Sequence, residues 1–334
     1  MADGGGYLAA YLRPLDALLA DPAVIEIALN ADGRLWVERA GDTHMREEPD
    51  GHLSPEEIRN LAGQIANTAN ATLTEKTPVV SASIRHAGLD LRAQAMIAPA
   101  VAGPAALAFR IFRNRNGQAP LRRFAFLRDV RTSLEEERRQ RFSRLLKDAG
   151  DGDVERFLEL IVAEHMNVIV SGGTSTGKTE LGRRLLSLVD PAERIVTIED
   201  AAELLPSLPN VVSLIASRDP GSARTADALL QASLRLRPDR IILGELRGSE
   251  AVTFLDAINT GHAGSFTTIH AETARKALER LALLVLATGT RLGFEDVIRY
   301  LANSIDVIVQ MGRQGDRRGI VEIFVPGGER KNAD

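Results

Sequence analysis

The eight residues Gly172-Gly173-Thr174-Ser175-Thr176-Gly177-Lys178-Thr179 have the pattern G-x-x-x-x-G-K-[ST], whose chemistry is the cradling of a polyphosphate. Glycines let the backbone curl so that successive N–H groups face phosphate oxygens, and the helix that follows adds the positive end of its dipole. Lys178 is then placed to reach the β- and γ-phosphates of ATP, and the Thr179 hydroxyl to ligate Mg²⁺. Phosphoryl transfer to water also needs carboxylates that hold the metal's water shell and orient the nucleophile. Two acidic groups qualify. Glu199, Asp200 and Glu203 follow the apolar run Ile195–Ile198, and Glu245 follows Ile241–Gly244. Alone, either reads as a helix cap or an exposed turn; behind a P-loop in the same domain, both read as catalytic. Gly244 stands where many P-loop enzymes put an Asp. His262 and His270 bracket one more strand-like run, and either imidazole could sense the γ-phosphate or hydrogen-bond the attacking water. His270, at the carboxyl end of that run, is the better candidate.

These side chains converge only if the chain supplies a strand–loop–helix frame. Asn167–Val170 is an apolar run before the loop, and Leu181, Leu185, Leu186 and Leu188 follow it with helical spacing, which together predict a βα unit of a parallel sheet. Further buried strands are expected at 194–198, 211–215, 240–243, 264–269 and 305–310, with helices between them. The first 115 residues mix shorter signals. Tyr7–Leu19 has helical spacing, and Ile25–Leu29 and Leu35–Glu38 read as a hairpin around Asn30-Ala31-Asp32-Gly33. Ser54-Pro55-Glu56-Glu57 supplies an N-cap, an N1 proline and a capping-box Glu for a helix through Ile58, Leu61, Ile65 and Ala69. Strands are expected at 79–84, 89–97 and 106–112. The stretch from Asn114 to Gly152, with Gly117, Pro120 and the run Glu135–Arg139, reads as a linker with helical parts. The expected organisation is an N-terminal domain over 1–115, a linker over 116–152 and an ATPase domain over 153–334.

Composition narrows the partners. The chain has 334 residues, 44% hydrophobic and 26% charged, enough for two cores. With 41 basic and 45 acidic residues the net charge is −4, so no broad cationic surface advertises nucleic acid, and direct nucleic-acid binding is not expected. The absence of cysteine excludes disulfides, thiolate catalysis and Cys-based zinc sites, and suits a reducing cytosol. The N-terminus lacks the basic and apolar regions of a signal peptide, and no apolar stretch reaches about 20 residues, so membrane association is expected to be peripheral.

In order and spacing, GGTSTGKT, IEDAAEL, LRLRPDRIILGELRGSEA and TGHAGSFTTIHA resemble the boxes of the type II/type IV secretion ATPase superfamily. The likeness is greatest to the hexameric ATPase of type IV secretion and conjugal DNA transfer. VIEIALNADGRLWVER and KTPVVSASI look like that family's N-terminal domain rather than that of pilus-retraction motors.

The resemblance implies an α/β protein: a C-terminal RecA-like P-loop domain with a twisted, mainly parallel sheet, plus a smaller α+β N-terminal domain. It implies ATP and Mg²⁺ held by Lys178 and Thr179, with Glu203 as the acidic-box carboxylate near metal and water, Glu245 as the Walker B carboxylate and His270 as the histidine-box residue. It also brings arginines from the N-terminal domain onto the nucleotide, and the best matches are Arg92 and Arg110. Glu180 departs from the pattern, standing where the family usually has a second Thr, so a hydroxyl contact to the α-phosphate is replaced by a nearby negative charge. The implied assembly is a homo-hexamer, peripheral on the cytoplasmic face of the bacterial inner membrane. It would act on inner-membrane secretion-channel components and only indirectly on a secreted protein or protein–DNA substrate. Loss of the γ-phosphate would swing the N-terminal domains. A pilus-assembly or type II secretion ATPase, a nucleotide-gated scaffold and a DNA motor are the alternatives.

Overall fold

The computed structural model describes residues 5–113, 125–128, 130–131, 133–150 and 152–327. Helices α1 (Gly5–Leu12) and α2 (Asp16–Ala20) open the chain, separated by a 3₁₀ turn over Arg13–Leu15. The helical spacing of Tyr7–Leu19 is thus divided, because Pro14 cannot donate an N–H in a helix interior.

The first sheet contains β1 (Val24–Leu29), β2 (Arg34–Arg39), β3 (Arg46–His52), β4 (Val79–His86), β5 (Leu89–Ile97) and β6 (Ala105–Phe112), in the order β3-β2-β1-β6-β5-β4. Every pairing in it is antiparallel. Helix α3 (Pro55–Thr68) packs Ile58, Leu61, Ala62 and Ile65 into its core. The expected capping box forms: Ser54 Oγ accepts from Glu57 N at 3.3 Å, and Glu57 Oε2 accepts from Ser54 N at 2.8 Å. Strand β3, REEPDGH, was not expected. It is a polar edge strand, and charge with proline is how an exposed edge avoids further pairing.

The linker expected over 116–152 has residues 116–124, 129, 132 and 151 outside the described residues, and contains α4 (Leu134–Gly150). Next come α5 (Val154–Ala163), β7 (Val168–Gly172), α6 (Lys178–Ser187), β8 (Ile195–Glu199), β9 (Val211–Ile215), α7 (Ala226–Ser233) and β10 (Arg240–Leu243). The fold closes with α8 (Glu250–Asn259), β11 (Phe266–Ile269), α9 (Ala274–Ala287), α10 (Phe294–Ser304), β12 (Val307–Gln314) and β13 (Arg317–Phe324). The second sheet runs β13-β12-β7-β11-β10-β8-β9 and is parallel except for the β12–β13 hairpin. β7, β8 and β10 are buried along their whole length, as strands covered by helices on both faces must be. Both the mixed antiparallel domain and the mainly parallel P-loop domain of the expected fold class are present.

The halves share a core. Met96, Ala100, Val101, Ala106 and Ala108 of the first pack in one cluster with Val212, Leu214 and Leu229 of the second. Residues 100–102 also cover the open edge of β9: Ala102 N donates to Ser213 O at 2.8 Å, and Ile215 N to Ala100 O at 2.9 Å. Among the described residues no helix is long and apolar enough to cross a membrane.

Candidate nucleotide site

A P-loop works only if its backbone can fold back over an anion. Gly172 permits the approach: a Cβ there would lie 2.5 Å from Thr176 Oγ1 and 2.8 Å from Met311 O. Gly177, with φ +98°, occupies the left-handed N-cap of α6, a conformation that costs glycine little. Ser175 is also left-handed, at φ +59°. Thr176 Oγ1 donates to Gly173 O at 3.0 Å and closes the loop on itself.

Strand order then decides which side chains meet. At the carboxyl ends of adjacent strands β7, β11, β10 and β8 stand Lys178, His270, Glu245 and the Glu199–Glu203 segment, as ligands do in open α/β sheets. Lys178 Nζ donates to Gly172 O and Gly173 O, both at 2.9 Å, and lies 3.4 Å from His270 Nδ1. His270 Nε2 is 3.4 Å from Glu245 Oε1. Since an ammonium only donates, Nδ1 is the acceptor and the Nε2–H faces the carboxylate. Burial holds the Lys178 ammonium below its ordinary pKa, with the Glu245 charge opposing.

On the other flank, Thr179 Oγ1 donates to Glu203 Oε2 at 3.3 Å. Arg183 fixes that segment by donating to Glu203 O from Nε at 3.0 Å and Nη2 at 2.8 Å. Glu199 accepts from the backbone N–H groups of Glu203 and Leu204 at 3.1 and 3.0 Å, and burial raises its pKa. Glu199 therefore shapes the acidic turn, while Glu203 faces Thr179. A hydroxyl beside a carboxylate is a hard oxygen donor set of the kind Mg²⁺ accepts alongside phosphate and water. Thr174, Ser175, Lys178, Thr179, Glu203, Glu245 and His270 line one cavity of about 1160 Å³.

Arg247 lies in the GELRGSEA stretch, and the resemblance implies no role for it. It donates to Glu245 Oε2 at 2.6 Å and to Asp200 Oδ2 at 2.7 Å, and Arg218 donates to the same Asp200 oxygen at 2.7 Å. Its position two residues after Glu245 was the available signal. Glu180 is 79% exposed and pairs with Arg183 at 3.2 Å, outside the cavity lining.

His262 and the two arginines are elsewhere. His262 precedes β11, its Nδ1 is 3.0 Å from Pro238 O, and burial lowers its pKa, so it is a neutral imidazole held by a carbonyl. Arg92 and Arg110 are direct cross-strand partners on β5 and β6. With His262 they line a second cavity of about 860 Å³, formed by the first sheet and the amino-terminal ends of the parallel strands. From Pro238 at that end to Glu245 at the other is seven residues of chain, about 23 Å of extended strand. The structure does not bring Arg92 or Arg110 to the P-loop of their own chain.

Residues 10–317 match the Type II/IV secretion system protein family. The conjugal transfer protein TrbB of Rhizobium radiobacter is 33% identical over 317 residues, covering 94% of this chain and 87% of that protein. The type IV secretion system protein VirB11 of Bartonella quintana is 33% identical over 337 residues, covering 96% and 93%. The crystal structure of the VirB11 ATPase from the Brucella suis type IV secretion system, in complex with sulphate, superposes with a TM-score of 0.81 at 30% identity, over 98% of this chain and 97% of that one.

Proposed function

The chain belongs to the Type II/IV secretion system protein family, and from that premise we propose that it hydrolyses MgATP to ADP and phosphate to drive transport or apparatus assembly in a type IV secretion or conjugal-transfer system. The observation that supports this most directly is the meeting of Lys178, Thr179, Glu203, Glu245 and His270 around one cavity at the carboxyl end of the parallel sheet.

In this reading the amides of Gly173–Thr179 and the Lys178 ammonium take the β- and γ-phosphates. Lys178 exchanges the carbonyls of Gly172 and Gly173 for phosphate oxygens, a better match for a cation. Thr179 and Glu203 would hold Mg²⁺, with Glu245 on the side of its water shell, and the bound ion would offset the charge that develops on the phosphates. Glu245 orients the attacking water and takes its proton as the new P–O bond forms and the bond to the β–γ bridging oxygen breaks. Arg247 holds one Glu245 oxygen and leaves the other to His270 and the water. His270, between Lys178 and Glu245, registers whether a γ-phosphate is present.

Arg92 and Arg110 grip phosphate in this scheme too. Because they lie about a strand's length from their own P-loop, the nucleotide they touch is the one held by a neighbouring copy. A closed homo-hexamer on the cytoplasmic face of the inner membrane, transmitting motion to channel components, satisfies that requirement at every interface. Lys178→Ala tests the site: phosphate release from MgATP should fall to background, and an unchanged rate refutes the assignment.

A further inference from the structure

The P-loop cavity is short of free cations. Its lining includes Lys178, Arg218 and Arg247, but Arg218 is bound to Asp200, and Arg247 to both Asp200 and Glu245. Among the described residues that line it, Lys178 alone remains for a transferring phosphoryl group whose charge spreads over three oxygens. P-loop enzymes commonly supply an arginine for that charge, in cis or from another subunit.

The second cavity has the opposite imbalance. Arg237, held by Glu38 and Asp239, is already neutralised, and His44 joins the same cluster 3.3 Å from Asp239. Three guanidinium groups remain. Arg92 and Arg110 stand side by side on β5 and β6 over the Phe112 ring, at 5.0 and 5.9 Å from its centroid. Among the described residues the one carboxylate partner of Arg110 is Glu26, at 3.6 Å. Arg235 is exposed, and its only hydrogen bond among the described residues is a long one, 3.4 Å, from Nη1 to Gln231 O. Neither Arg92 nor Arg235 has a carboxylate partner among the described residues. Among the described residues, the P-loop cavity has no arginine free of a carboxylate, whereas the second cavity holds Arg92 and Arg235 with no carboxylate partner.

The placement of Arg235 is built rather than incidental. It lies just past the end of α7, on the loop leading into β10. Two residues on, Arg237 adopts φ +58° and bonds across to Glu38 of β2. That contact ties the loop to the first sheet, so an arginine from the second half stands with two from the first around the same space.

We propose that Arg235 is a further catalytic residue, acting with Arg92 and Arg110 on the γ-phosphate of the nucleotide held by a second copy of this chain. The proposal rests on the ATPase reading above and deepens it. A receiving surface made by both halves of one protomer follows the γ-phosphate of its neighbour as a single unit. An arginine that is absent from the nucleotide's own subunit and engages only the terminal phosphate contributes to turnover and little to holding ADP.

The test uses full-length protein. Arg235→Ala should lower kcat for MgATP by about 1,000-fold or more, within the range set by removal of a trans arginine. Binding of a fluorescent ADP should stay within about twofold of wild type, since the P-loop is intact. Arg235→Gln, which keeps the stem and a hydrogen-bonding head, should be equally impaired; either variant turning over at the wild-type rate overturns the proposal. The trans assignment is read from mixed rings, made by co-expressing differently tagged Lys178→Ala and Arg235→Ala chains and purifying on both tags. Interfaces that pair an intact P-loop with an intact Arg235 should restore roughly a quarter of the wild-type rate for random heterologous assembly. Mixed rings no more active than the variants alone overturn action in trans. A wild-type protein without ATPase activity, or an unimpaired Lys178→Ala, would instead sink the underlying reading.

Discussion

Arg194, wholly buried, donates from Nη1 to Asn30 Oδ1 at 2.8 Å, joining a side chain of the P-loop half to the hairpin turn of the first half. The same guanidinium bonds to Asn210 and, at 2.8 Å, to Leu236 O, while its Nη2 has no partner among the described residues. Burial pulls its pKa down to about 10, with the Asp239 charge opposing. A buried cation with so few acceptors is sensitive to losing one. Asn30→Ala should destabilise the protein by about 1–3 kcal/mol, the cost of leaving a buried charged donor short of a partner. Scanning calorimetry should show both halves melting earlier in one transition, because their cores are continuous. A first-half transition that moves alone would mean the contact does not couple them.

In the proposed ATPase reading, Glu245 is the residue at which binding and chemistry separate. It is 16% exposed and sits between Arg247 and His270, with Lys178 one contact further. Glu245→Gln keeps the shape and the contact to Arg247 but cannot take a proton. MgATP affinity should change little, while phosphate release should fall by about 10²–10⁴-fold, the usual contribution of a general base. Single-turnover phosphate release at saturating ATP measures this directly. A parallel loss of affinity and rate would reassign Glu245 to nucleotide binding.

Much of this arrangement was legible in the sequence, and the parts that were not have physical reasons. The P-loop, β7, β8, β10 and the acidic residues at strand ends were readable because buried parallel strands are short apolar runs and their catalytic residues follow at fixed offsets. β3 was not readable because an exposed edge strand is selected for polarity, and β13, RRGIVEIF, because exposed Arg317 and Arg318 hide its pairing with β12. The link from Lys178 through His270 to Glu245 depends on β11 lying between β7 and β10, and no spacing in the chain encodes that order. Arg92 and Arg110 could be found by resemblance, but their distance from their own P-loop is a property of domain packing. Arg235, one more basic residue in LRLRPDR, gave no local signal at all.

Glu26 offers a pH-dependent reading of the same interface. Burial raises its carboxyl to about 7 from an ordinary 4.5, against the opposing charge of Arg110, with Glu38 adding to the rise. Its side chain is 15% exposed. The folded state therefore binds the proton more tightly than the unfolded chain, and stability must fall as pH rises between those two values. Below pH 4.5 Glu26 is neutral in both states and contributes no penalty; above 7 the penalty is fully developed, at most about 3 kcal/mol from 1.36 kcal/mol per pH unit. Glu26→Gln removes the ionisable group and keeps the volume. Its melting temperature should match wild type near pH 4 and exceed it progressively as pH rises to about 7, above which the gain should level off. A constant difference across that range, or a gain largest in acid, would show that Glu26 does not titrate between those values in the folded protein.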